Sequence, residues 1–307
     1  MADLAPDQRS APSAPEVPPP PGLVADDADW ELVAEGYAYT DGPAADTTGA
    51  VYFAEPIFGH LYKAAPNGEV TKVVEQTKHA MGLVMGADGL IYACRNQAAQ
   101  IVRYTPAGEM EVLLEGEMTP LPGNANAPGE FCNDMAVNRD GGVWFTDRIN
   151  KQVMYLAPDG SVRRVAGGFR PNGIVLSADR KMLAVTDSNE PRLHAFEVGE
   201  NGELEEMDGF FDPVRTVEQI GSEQESARNR PGTNGMTVDS DGRFYVTSFY
   251  GIQIFDRDGK YLGVINKGRR FASNLTFGGP DYQWLYITSR EGVFRLRMQV
   301  SGVHWQN

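Results

Sequence analysis

The sequence predicts an all-β protein, a six-bladed β-propeller closed by an N-terminal strand, and three observations support this fold class. First, a motif of apolar strand, tight turn and second apolar strand recurs six times along the 307 residues. Second, markers within the motif, at positions 42, 82, 134, 173, 235 and 275, are 40, 52, 39, 62 and 40 residues apart. A period near 40 residues with several strands per unit is typical of propellers. Third, one strand precedes the first repeat, and the last repeat is short.

The clearest copy of the motif is NDMAVNRDGGVWFTD, over residues 133–147. Its Asp-Gly turn between two apolar runs is a strong hairpin signal, because the turn needs positive φ and glycine adopts it without steric cost. Each unit continues with a third and a fourth strand, as at residues 61–63 and 70–74. The early strand at residues 30–33 is expected to complete the sixth blade, because such closure removes open sheet edges.

Composition limits the domain organisation and the partners. Residues 1–28 are rich in Pro, Ala and Asp and are expected to form a flexible tail, with one propeller over residues 29–307. The net charge of −15 argues against nucleic acid and anionic membranes as partners. No apolar run approaches the roughly 20 residues that span a bilayer. A small-molecule substrate is the expected partner, and the oligomeric state stays open.

The two cysteines, Cys94 and Cys132, are too few for a disulfide scaffold. We interpret them as small buried apolar side chains. The N-terminus lacks a basic segment followed by an apolar one. The expected localisation is cytoplasmic, or periplasmic or secreted if a signal peptide has been removed.

Polar residues open the innermost strand of nearly every blade, where they would face one end of the central channel. In chain order they are Asp41, Met81, Asn133, Asn172, Asn234 and Asn274. A ring of amide and carboxylate oxygens suits a hard cation, since Ca²⁺ takes 6–8 oxygen ligands. The alternative is plain turn chemistry, because Asn-Gly and Asp-Gly are common turn pairs.

Two long connections, residues 118–131 and about 213–233, enter inner strands on the same face and could wall a pocket. Phe131, at the end of the first, is a candidate substrate contact, together with Met81, His79 and Asn274. His79 would be a proton shuttle or a bystander. Arg170, Arg228 and Arg230 lie in similar connections and would bind an anionic group or remain solvated loop charges.

Five segments carry a resemblance to a known family. They are Thr40-Asp41-Gly42-Pro43, Asn133-Asp134-Met135 with Phe145-Thr146-Asp147, Pro171-Asn172-Gly173-Ile174, Asn234-Gly235-Met236-Thr237-Val238-Asp239, and Phe277-Gly278-Gly279. The chain resembles the gluconolactonase, regucalcin and senescence-marker-protein superfamily, in particular its bacterial lactonase-like members. This resemblance implies a six-bladed propeller that binds a divalent metal, usually calcium, in its channel. It also implies hydrolysis of lactones, while relatives hydrolyse organophosphates.

By the same resemblance, the metal ligands fall on Asp41, Asn133, Asn172 and Asn234. Two positions depart from the family pattern, because Asp41 stands where Glu is usual and Asn234 where Asp is usual. The site therefore has one carboxylate fewer than is usual, which predicts weaker calcium affinity. Met81 replaces a frequent Asn and makes one wall apolar.

The predicted activity is metal-dependent hydrolysis of a lactone or related cyclic ester. The metal would polarise a carbonyl, with Asp41 and Asp134 as the catalytic carboxylates and Asp134 as the remaining base. Asp134 could equally cap loop backbone. The alternatives are a non-hydrolytic isomerase or cyclase acting on a more apolar substrate, and a binding propeller without catalysis.

Overall fold

The protein forms six four-stranded antiparallel sheets in a computed structural model that describes residues 18–121, 129–216, 231–268, 271–290 and 292–306. The sheets follow one another along the chain, and each runs from its inner to its outer edge in sequence order except the last. The predicted six-bladed propeller is confirmed.

The first three blades consist of strands β2 to β13. Blade one contains β2 (Asp41–Ala45), β3 (Val51–Glu55), β4 (His60–Ala64) and β5 (Val70–Glu75). Blade two contains β6 (Ala80–Met85), β7 (Ile91–Arg95), β8 (Gln100–Tyr104) and β9 (Met110–Glu115). Blade three contains β10 (Met135–Val137), β11 (Val143–Asp147), β12 (Gln152–Leu156) and β13 (Val162–Gly167).

The other three blades repeat the arrangement. Blade four contains β14 (Pro171–Leu176), β15 (Met182–Asp187), β16 (Leu193–Val198) and β17 (Leu204–Glu206). Blade five contains β18 (Met236–Val238), β19 (Phe244–Thr247), β20 (Ile252–Phe255) and β21 (Tyr261–Ile265). Blade six contains β22 (Ala272–Gly278), β23 (Trp284–Ser289), β24 (Gly292–Arg297) and the N-terminal β1 (Glu31–Glu35).

The inner strands form a closed ring, because β2 contacts β6 and β22, and contacts continue through β10, β14 and β18. The pairing of β1 with β24, with Glu31 opposite Arg295, completes blade six as predicted. An early and a late segment of the chain are thus tied into one sheet, and β1 covers the outer edge of β24.

The expected boundary of the tail at residue 28 is too late. Leu23 is buried within the cluster around blade six, and Val24 pairs with Met298. An apolar side chain that leaves water is stabilising, so this part of the tail packs on the propeller.

The core lies between neighbouring blades, where each sheet buries large side chains such as Trp144, Tyr52 and Phe244. The indole of Trp144 donates to the carbonyl of Gly202, so its polar atom is satisfied. The described residues contain only two short 3₁₀ turns, Asn96–Ala98 and Glu200–Gly202, as helical structure. Accordingly, no helix in these ranges is long and apolar enough to cross a bilayer.

The C-terminal segment crosses the end of the channel opposite to the starts of the inner strands. Gly302 pairs with Asp239, the guanidinium of Arg180 lies over the Trp305 ring, and Gln306 donates to the carbonyl of Ala45. The segment therefore touches blades one, four and five. The sequence pattern fades at this point and does not predict the crossing.

Candidate metal and substrate site at the channel mouth

The residues that open the inner strands meet at one end of the channel, and glycines make their close approach possible. A Cβ on Gly82 would lie 2.2 Å from the carbonyl oxygen of Asn133, and one on Gly173 would lie 2.1 Å from that of Asn234. No side chain fits at such distances. The peptides of Asn133 and Asn234 thus each pack against the glycine of the preceding blade.

Asp41 is buried at this mouth, with 6% of its surface exposed. Its Oδ1 accepts from the backbone N–H of Gly42 at 2.8 Å. Burial raises its pKa to about 6, while that amide, the Arg148 guanidinium and the Asn274 amide act in the opposite direction. Burial of a carboxylate without a full counter-charge is costly, and a bound cation would reduce that cost.

Asp134 occupies the place that glycine takes in blades one, two, four and five. Its carboxyl accepts from the backbone N–H of Met135 at 2.9 Å and from the Asn274 side chain at 3.1 Å. Burial and the nearby Asp41 carboxylate raise its pKa to about 8. Backbone contacts from Met135 and Ile174 oppose this shift. Asp134 therefore both caps loop backbone and retains a proton readily near neutral pH.

Three amide residues of the ring differ in their surroundings. Asn172 is 5% exposed, and no donor in the described residues lies within hydrogen-bonding distance of its Oδ1. The Nδ2 of Asn133 lies 3.9 Å from the Met81 sulfur. Asn234 is half-buried on the next blade.

This donor set fits a hard cation. A buried oxygen acceptor without a donor is costly, and a cation satisfies it. The described residues hold no group of three or more His, Cys, Asp or Glu arranged for a metal. Any cation here would depend mainly on amide oxygens, as the sequence predicts.

The structure gives the four predicted substrate contacts different surroundings. Met81 is half-buried beside Asn133, and the Asn274 side chain donates a hydrogen bond to the Asp134 carboxyl. The Phe131 ring packs on Phe145, with ring centres 5.9 Å apart. The His79 ring lies near Pro56 and Glu130, and burial lowers its pKa. Their roles stay predictions.

Other polar residues lie in the loops around the mouth. The carboxylate of Asp147 accepts from the backbone N–H of Asn150 at 3.0 Å, and that of Asp187 from the backbone N–H of Asn189 at 2.8 Å, so both satisfy loop amides. Arg228 and Arg230 lie outside the described residues, as do parts of both long connections.

The mouth also contains an ion pair that sequence reasoning missed. Arg148 Nε donates to Glu130 Oε1 at 2.8 Å, and its Nη2 donates to Oε2. Glu130 is 8% exposed, and the Arg148 charge acts on both Asp41 and Tyr39. Glu130 and Arg148 each lie beside a motif that the sequence analysis identified. The sequence pattern gives no indication that they contact each other.

The interpretation of the cysteines as free side chains is wrong. Cys94 and Cys132 form a disulfide, with Cα atoms 5.7 Å apart. The residues are 38 positions apart in sequence but become neighbours because blades two and three are adjacent. Both are fully buried, so their burial is as expected.

Below the ring, the channel narrows to a cavity of about 60 Å³. Its walls come from the inner strands of all six blades and are mostly apolar, and Trp305 lies at the far end. Asp134 and Asn274 also line it. The C-terminal segment lies across this far end, opposite the mouth that contains Asp41.

Comparison with known proteins identifies relatives along most of the chain. A gluconolactonase of Zymomonas mobilis is 25% identical, over 89% of this chain and 82% of that protein. A gluconolactonase from Xanthomonas campestris superposes with a TM-score of 0.72 at 24% identity, over 96% of this chain and 99% of that one. A regucalcin from Agrobacterium tumefaciens, described as calcium-binding, has a TM-score of 0.69 at 18% identity, over 90% and 95%. The model of the SMP-30/gluconolactonase/LRE-like region matches residues 41–291, and the chain belongs to that family.

Proposed function

We propose that this protein hydrolyses a lactone or related cyclic ester at the channel mouth, with the divalent cation Ca²⁺ as cofactor. Family membership and the gluconolactonase names of its relatives support the reaction. The observation that carries the metal site is the buried Oδ1 of Asn172, which has no donor in the described residues.

Asp41, Asn133, Asn172 and Asn234 would hold the cation through their side-chain oxygens. When bound, a divalent cation supplies Lewis-acid polarisation of the ester carbonyl. Asp41 brings the only carboxylate among these four residues. A ligand set of three amides and one carboxylate predicts modest calcium affinity, since affinity follows the number of charged ligands.

Asp134 would handle the proton of the reaction. Its carboxyl is oriented by Met135 and Asn274, so one face is fixed while the group lines the channel. Its raised pKa means that the ionised form takes up a proton readily, which suits a general base for the attacking water. The paired side chains of Arg148 and Glu130 would contact a polar substrate.

The test uses Asn172→Leu, which keeps the approximate volume and removes the unpartnered oxygen. Removal of a buried unsatisfied acceptor is worth about 1–3 kcal/mol, so the metal-free variant should unfold no more easily than wild type. Calcium binding by calorimetry and hydrolysis of a lactone panel should both be lost.

Asn96→Leu is the matched control for stability. Asn96 is 2% exposed, donates to the Cys132 carbonyl at 2.9 Å and accepts from the Phe131 amide at 2.7 Å. Its replacement should destabilise the metal-free protein. If Asn172→Leu binds calcium as wild type does, Asn172 is not a ligand. Calcium binding without turnover of any lactone would favour isomerase or cyclase chemistry.

A further inference from the structure

One register position recurs in every blade at the level of the ring. It is the residue of the second strand that lies beside the ring, and its occupants are Ala54, Cys94, Thr146, Thr186, Thr247 and Thr288. Four of the six carry a hydroxyl. Cys94 is the one that carries a sulfur atom.

Two of these hydroxyls hold proposed metal ligands in place. Thr146 of blade three donates to the carbonyl of Asn172 in blade four at 2.7 Å. Thr186 of blade four donates to the carbonyl of Asn234 in blade five at 3.0 Å. Each hydroxyl also accepts a backbone N–H of its own blade, from Asp134 at 3.0 Å or Gly173 at 2.8 Å. The hydroxyl thus connects two blades directly beside a ligand.

Between blades two and three, the residue at this register position forms a disulfide bond with the next blade. Cys94 is bonded to Cys132, the residue immediately before Asn133. We propose that the Cys94–Cys132 disulfide positions Asn133 as a metal ligand, in the role that the Thr146 and Thr186 hydroxyls have for Asn172 and Asn234. This inference rests on the proposed metal site.

The disulfide acts at the end of the connection that leads into blade three. This connection begins at residue 116 and contains Asn133, so the bond from Cys132 ties its last residues to β7. Asn96 adds to the restraint, since its amide accepts from Phe131 and Cys132 and donates to the Cys132 carbonyl.

Burial argues for a permanent positioning element rather than a redox switch. Neither Cys94 nor Cys132 has solvent-exposed surface in the folded protein. A thiolate in solution must reach a sulfur atom to exchange with it. The link is therefore expected to persist in the native state.

The experiment compares two variants that both lack the disulfide. Cys94→Ala with Cys132→Ala removes the link and leaves no tether, whereas Cys94→Thr with Cys132→Ala restores the hydroxyl found in the other blades. Both lose the same crosslink, so the stability that it provides is lost equally. Calorimetry with Ca²⁺ on each variant then measures positioning separately from stability.

The expected result is a loss of about 10-fold or more in calcium affinity for the alanine pair, as for other residues that orient metal ligands, with most of it regained in the threonine variant. Equal affinity of both variants, whether reduced or unchanged, would overturn the proposal. No calcium binding by wild type would overturn it together with the metal site, while lactone turnover by the same sample reports separately on the proposed reaction.

A second measurement needs no variant and applies if the alanine pair does not fold. Wild type is reduced in mild denaturant and refolded with reductant present, and thiol titration verifies two free thiols. Calcium should dissociate faster from this protein than from the oxidised form. Identical dissociation rates would contradict the positioning role.

Discussion

Replacement of Gly173 by alanine tests the close approach on which the ring depends. The added Cβ would lie 2.1 Å from the carbonyl oxygen of Asn234 and 2.8 Å from the Cα of Gly235. Gly173 has no positive φ, so the substitution carries no backbone strain of its own. The whole effect must therefore come from the displacement of blade five and of Asn234.

The expected loss of stability in Gly173→Ala follows from the contact between the added Cβ and the Asn234 carbonyl. Real Cβ atoms essentially never approach other atoms within 3.0 Å, so the carbonyl of Asn234 has to move. Overpacking of this kind costs about 1–3 kcal/mol. For a chain of this size, each kcal/mol corresponds to roughly 2 °C, which predicts a melting point lower by about 2–6 °C. Calcium affinity should also fall, because Thr186 holds that same carbonyl at 3.0 Å.

Gly199→Ala is the matched control. Gly199 also has ordinary dihedral angles, with φ −85° and ψ −178°, and its nearest non-neighbouring atom is 3.4 Å from the added Cβ. Alanine there should leave the melting point unchanged or slightly higher, since it restricts the unfolded chain. Thermal unfolding measures the melting point of each variant, and calorimetry measures its calcium affinity. If Gly173→Ala melts no lower than Gly199→Ala and binds calcium equally well, the close packing of the ring is not what holds Asn234.

Two further predictions concern groups beside the ring. Burial alone would raise the pKa of Asp187, but the His194 ring, 3.7 Å from the carboxylate, and hydrogen bonds from loop amides hold it below its ordinary value. That stability is present above the unfolded pKa of about 3.9 and is lost as pH falls through the folded pKa, so Asp187→Asn should unfold with a weaker pH dependence below about pH 4 in acid titrations. Arg148→Met leaves the buried Glu130 without its partner and should cost about 3 kcal/mol or more. The Arg148→Met, Glu130→Gln double variant should regain much of this in urea unfolding, and purely additive losses would show that the pair is not coupled.

The fold and the ring could be predicted because both depend on local pattern. Turn pairs such as Asp41-Gly42 and Asn172-Gly173 mark the start of an inner strand, and a period near 40 residues places one such pair in each blade. The strand β1 could be assigned to blade six because the last repeat lacks its fourth strand. These inferences need no knowledge of which side chains meet.

The contacts that restrain the site could not be predicted, since they join residues that become neighbours only after the blades close. The Cys94–Cys132 link and the Glu130–Arg148 pair each connect positions with no shared motif. The same holds for Trp305, which reaches the channel from the chain end. A cysteine count measures the number of possible bonds, whereas their formation depends on the distance between blades two and three.

One sequence signal was available and has a clear physical meaning. Blade three reads Asn133-Asp134 where blades one, two, four and five have glycine second, so a carboxylate stands in the row that otherwise allows close packing. Burial and the neighbouring Asp41 carboxylate both raise the Asp134 pKa, so two carboxyl groups share this buried region. Arg148 is paired with Glu130, which leaves Asp41 and Asp134 without a full counter-charge of their own. At the proposed metal site, a bound cation would favour the ionised form of Asp134, and this second carboxylate would then compensate for the amide of Asn234.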